Sequence, residues 1–207
     1  MKFGKTIAVV LASSVLLAGC TTDKKEIKAY LKQVDKIKDD EEPIKTVGKK
    51  IAELDEKKKK LTEDVNSKDT AVRGKAVKDL IKNADDRLKE FEKEEDAIKK
   101  SEQDFKKAKS HVDNIDNDVK RKEVKQLDDV LKEKYKLHSD YAKAYKKAVN
   151  SEKTLFKYLN QNDATQGVNE KSKAIEQNYK KLKEVSDKYT KVLNKVGKEK
   201  QDVDQFK

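Results

Sequence analysis

Few residues in this chain of 207 have side chains suited to covalent or metal chemistry, and their spacing argues against it. His111 and His138 are the two histidines. Each stands without a cysteine, a second histidine or a carboxylate at metal-ligand spacing, so no metal centre is expected. The serines fall on helix surfaces or at caps and lack a nucleophile-elbow glycine pattern. The six glycines form no phosphate loop. Carboxylates are plentiful, but they alternate with lysines, the mark of a solvated, salt-bridged helix face. The expectation is a protein that is not an enzyme and holds no cofactor.

Binding is the chemistry that remains. Six of the seven tyrosines lie between residues 135 and 189, interleaved with lysines. Lys132 to Lys147 holds six lysines against Glu133 and Asp140, and Asn178 to Lys191 holds five against Glu184 and Asp187. Tyrosine rings offer flat contact and ammonium groups neutralise phosphate, so such a face suits an anionic polymer or a sugar. Tyr135, Tyr145, Tyr179 and Tyr189 also fit a helix seam, with hydroxyls snorkelling outward. Tyr141 and Tyr158 fall off that seam, which makes them, with Lys143, Lys146 and Lys147, the candidate ligand face. The run Lys57 to Lys60 is ringed by Glu53, Asp55, Glu56, Glu63 and Asp64 and reads as a solvated face.

The start of the chain has a different logic. Lys2 and Lys5 precede an apolar run from Ile7 to Ala18, then Gly19-Cys20. This order of charged, apolar and small residues predicts a secretory signal peptide over residues 1–19. The run is too short for the ~20 residues a membrane-spanning helix needs. Leu17-Ala18-Gly19-Cys20 resembles the lipobox of bacterial lipoproteins. That resemblance implies cleavage before Cys20 and a diacylglyceryl group on its sulfur. As the sole cysteine, Cys20 leaves the exported part without an internal disulfide.

Residues 20–207 then form one domain. Charged residues make up 44% of the chain and hydrophobic ones 34%, too few for a spherical core. A coiled-coil seam needs only about 29% apolar positions, so long packed helices fit. The periodicity favours helices over disorder. Ile37, Ile44 and Ile51 keep phase through Pro43, where a kink or a break is expected. Val77, Ala84, Phe91, Ile98, Phe105, Val112 and Val119 sit seven apart, with Gly74 and Arg87 as weak spots. A third arm runs from Val124 to Leu159, and a fourth repeats the heptad from Val168 to Val203, with Leu193 in its second seam position. Turns are expected near 66–69, with Ser67 or Asp69 as cap, and at 160–163, with Asp163 or Thr165 as cap; after Val119 the heptad phase slips by a residue, which fits a turn within 113–123 or a continuous helix with a phase shift. Together these predict an all-α fold, an elongated antiparallel bundle of about four coiled-coil-like helices.

The net charge of +11 is smeared along the chain and builds no compact nucleic-acid patch. A lipobox followed by lysine-rich helical arms resembles the YkyA-like family of cell-wall-binding lipoproteins. That likeness implies an all-helical exported domain on the outer face of the cell membrane, anchored through Cys20, and carries over no catalytic residues. The expected partner is a wall polymer (teichoic acid or peptidoglycan) or another envelope protein. The alternative is a coiled-coil spacer that self-associates through its seam.

Overall fold

Apolar residues recurring every three or four positions draw the chain into four long helices. A computed structural model describes residues 12–161 and 167–207, with side chains from residue 22 onward except that of Gln161. The helices are α1 (Ala12–Asp64), α2 (Thr70–Asp113), α3 (Asp118–Gln161) and α4 (Val168–Asp204). They make an all-α antiparallel bundle in which consecutive helices are neighbours, with α2 and α3 the more loosely joined pair. The 44 residues of α2 or α3 span about 66 Å.

Pro43 lies inside α1 and does not break it. It sits on the exposed side, where solvent satisfies the backbone group it cannot. Asp69 caps α2, its carboxylate accepting from the amides of Ala71 (2.8 Å) and Val72 (3.3 Å). The expected turn within 113–123 spans residues 114–117. It needs neither glycine nor proline, because no described residue has positive φ. Asn117 caps α3 through the amides of Val119 and Lys120. Buried Asp23 of α1 accepts from the amides of Asp116 (2.8 Å) and Asn117 (3.3 Å). Asp23→Ala strips two amides of their acceptor and is expected to cost about 1–2 kcal/mol. An unchanged urea midpoint would show that the turn holds without it. The expected turn at 160–163 and its caps Asp163 and Thr165 fall mostly outside the described residues.

Two register expectations are corrected. Val119 is not a seventh seam step of α2. That helix ends at Asp113, and Val119 stands 66% exposed in the first turn of α3. In α4, Val192 is buried and Leu193 is 40% exposed. The reason is that α4 rides on α3 and barely meets α1, so Leu193 edges an open trough rather than a closed seam. A Lys200–Asp35 ion pair of 3.2 Å bridges that trough.

The core is a string of three apolar clusters along the axis. The base gathers Ile27, Tyr30, Ile115, Leu127 and Val203, the middle Phe91, Tyr145 and Val149, and the tip Val77, Leu80 and Phe156. Buried polar layers interrupt it. The second seam position of α2 runs Leu80, Arg87, Glu94, Ser101, Ala108, all buried. Its three polar members are seven residues, or about 10 Å, apart. Ser101 joins the Tyr135 hydroxyl (2.7 Å) to Glu41, which also takes the ammonium of buried Lys134. His138 Nε2 meets Glu94 Oε1 at 3.1 Å inside a cage of Phe91, Tyr141 and Tyr189 rings.

The Arg87 layer draws on all four helices. Arg87 is 1% exposed. It donates to Asn83 and Asp55, each at 3.1 Å, and pairs with Glu152. Lys58 (2.8 Å) and the Tyr179 hydroxyl (2.6 Å) donate to the other Glu152 oxygen. Lys58 therefore departs from the solvated face expected of residues 57–60. It occupies the seam between Leu54 and Leu61.

Candidate binding surface

The sequence nominated five residues for one ligand face, and the fold does not bring them together. Tyr141 packs inward. Its ring stacks on Tyr189 at 5.8 Å and meets the edge of Phe91 at 5.8 Å, and burial pushes its hydroxyl up to about 12. Tyr158 lies 17 residues further along α3, about 26 Å away, half-buried with Lys171 Nζ 4.6 Å over its ring. Lys146 is tied to Glu95 at 2.7 Å. Lys143 and Lys147 are exposed. The seam tyrosines Tyr135 and Tyr145 are buried as expected, but not every hydroxyl points as expected. Tyr135 and Tyr179 do not snorkel outward: their hydroxyls bond inward, to Ser101 and Glu152. Cys20 falls in the helical span of α1, where its side chain lies outside the described residues.

Of the five, Lys143 lines a surface trough. The looser α2–α3 junction opens a cavity of about 750 Å³ between Lys106 and Lys109 on one wall and Lys132, Lys136 and Lys143 on the other. Phe105 and Tyr135, their rings 5.5 Å apart, form its floor. A second cavity of about 440 Å³ shares Lys109, Asp128 and Lys132 with the first and carries the trough toward the base, past Arg121, Lys122 and Lys125. Counting shared residues once, eight cationic side chains face five carboxylates. Three of those carboxylates, Glu102, Asp118 and Asp128, are already paired with Lys106, Arg121 and Lys132. Such a trough attracts anions and offers an apolar floor for contact. Sequence reading missed Lys106, Lys109 and Lys125 because they lie on two helices whose apposition only the fold defines.

The described residues include no group of three or more His, Cys, Asp or Glu placed to hold a metal ion. They also include no helix long and apolar enough to cross a membrane. His111 bonds Glu26 at 2.7 Å, and His138 bonds Glu94.

A long antiparallel helical bundle with a lysine-lined lateral trough is the class of protein these features define. The chain belongs to the YkyA family, whose model, described as "Putative cell-wall binding lipoprotein", matches residues 25–206. It is similar to the "Uncharacterized lipoprotein YkyA" of Bacillus subtilis (strain 168), with 24% identity over 212 residues, 97% of this chain and 91% of the relative. It is also similar to a protein of known crystal structure, a conserved protein of unknown function from Staphylococcus aureus. That likeness has 95% identity and a TM-score of 0.84, and covers 89% of this chain and 95% of the other. The family expected from the sequence therefore holds, as does the helical bundle.

Proposed function

We propose that this protein is a non-enzymatic surface lipoprotein, held at the outer face of the cell membrane by lipid on Cys20, whose helical body engages an anionic wall polymer. The observation that carries the reading is the lysine-lined trough, on a bundle whose family is described as "Putative cell-wall binding lipoprotein". The layout at the base supports the anchor. Asp23, three residues after Cys20, is already bonded to the α2–α3 turn, which leaves little slack between a lipid and the folded body. The body then projects about 66 Å from that base. Two acyl chains suit this role, since one chain gives only reversible membrane binding.

Cys20→Ala is expected to abolish incorporation of labelled fatty acid and to leave the signal peptide uncut, seen as a heavier precursor on a gel. The wild-type protein is expected to sediment with purified cell wall and to be released by salt. Equal fatty-acid labelling of wild type and Cys20→Ala would refute the anchor, and failure to sediment with wall would refute the wall reading.

A further inference from the structure

We propose that the α2–α3 trough seats one extended strand of a phosphate-bearing polyanion along the bundle axis. This rests on the wall-binding reading and deepens it from a surface to a track. Of the five lysines that α3 contributes, four, 125, 132, 136 and 143, are spaced seven, four and seven residues, which puts them on one face of the helix. From Lys125 to Lys143 the row is about 27 Å long. Lys106 and Lys109 of α2 face it.

Most of these cations have charge to spare. Among the described residues, Lys109, Lys125, Lys136 and Lys143 have no carboxylate within ion-pairing distance, and neither has Lys122 at the basal end. Lys106 is paired only with Glu102 of its own helix, an exposed contact worth a few tenths of a kcal/mol and easily exchanged, whereas Lys132 is held by the buried Asp128 and by Asp129 and has the least charge to spare of the row. A row of cations in a concave trough matches a line of phosphates better than a single anion. Each phosphate placed releases counterions, so affinity grows with the number engaged.

The test uses the full-length lipidated protein in neutral detergent, with long-chain polyphosphate as the probe and tripolyphosphate as its short counterpart. Long chains are expected to bind far more tightly than tripolyphosphate, with strong salt dependence. Lys136→Glu with Lys143→Glu should lower that affinity roughly ten-fold or more and flatten the salt slope. Lys180→Glu with Lys188→Glu, the same charge change on exposed sites of α4, should lower it less than about two-fold. Phosphatidylglycerol added to the micelles should not displace the polymer. Equal losses in the two double variants would overturn the track, leaving only diffuse charge. Equal affinity for the short and long chains would overturn it, as would displacement by phosphatidylglycerol, which would mark a headgroup site. Wall sedimentation separates the two readings. If wild type and Lys136→Glu/Lys143→Glu sediment alike, the track fails and wall binding stands. If neither sediments but polyphosphate binding behaves as expected, wall binding fails and the track stands.

Discussion

Arg87→Ala is expected to remove about 3–5 kcal/mol of folding free energy, because it strands the buried Glu152 carboxylate without its main counter-ion. Set against a total stability on the order of 5–15 kcal/mol, this is a large share. Lys58 and Tyr179 still donate to Glu152 in the variant, which keeps the loss at the lower end of that range. The double replacement Arg87→Met with Glu152→Leu removes both charges and restores apolar contact, so it should recover most of the loss. Urea unfolding followed by circular dichroism reads both values. If the double variant is no more stable than Arg87→Ala, the electrostatic account of this layer is wrong.

The same layer sets a pH dependence. Burial alone would raise the Glu152 carboxyl, but the Arg87 charge and the hydrogen bonds from Arg87 and Lys58 outweigh it and hold the group below its ordinary value of 4.5. A group lowered on folding stabilises the native state fully above its unfolded value and loses that contribution as pH falls through the folded one. Wild type should therefore lose stability below about pH 4.5, and the Arg87→Met/Glu152→Leu variant should lose less over the same acid range.

The second large effect is expected at Phe91. It is fully buried, stacks on Tyr145 at 4.2 Å and faces His138 and Tyr141. The middle cluster around it is thin, with Ala84 and Ala142 as neighbours, so few large side chains are at hand to close a void. Phe91→Ala is expected to cost about 3–5 kcal/mol from lost transfer energy plus an unfilled cavity. It should also loosen the cage around the His138–Glu94 pair, seen as faster amide exchange in the middle of α3. A loss under about 1 kcal/mol would mean that the middle of the bundle collapses freely and is not a rigid layer.

Much of the helical layout was legible without coordinates. The heptad of α2 from Val77 to Val112 is buried at every step, because seven-residue spacing returns each side chain to the same face. A cap at Ser67 or Asp69 was readable from its place before a periodic run, and a turn within 113–123 from the phase slip beside it; the structure chose Asp69 and residues 114–117. The polar layers left a signal that went unread. Arg87, Glu94 and Ser101 hold the same heptad position, so one apparent weak spot was the first of three regular interruptions. Seen one helix at a time, a charged residue in a seam looks like a defect. Its partners, Glu152, His138 and Tyr135, are 34 to 65 residues away along the chain.

The candidate face shows the same division more sharply. Lys143 and Lys147 could be placed at the surface from the α3 pattern alone. Tyr141 could not, because α4 supplies Tyr189 beside it and turns an off-seam ring into a packed one. By itself the sequence determined the helices, most of their boundaries, the family and the overall surplus of positive charge. Those follow from local periodicity, capping and composition, which act over a few turns. Only the tertiary structure decided which charges are buried against each other and which line the trough. That depends on how far apart α2 and α3 stand and on what α4 covers, distances set by packing across the bundle and not by spacing within any one helix.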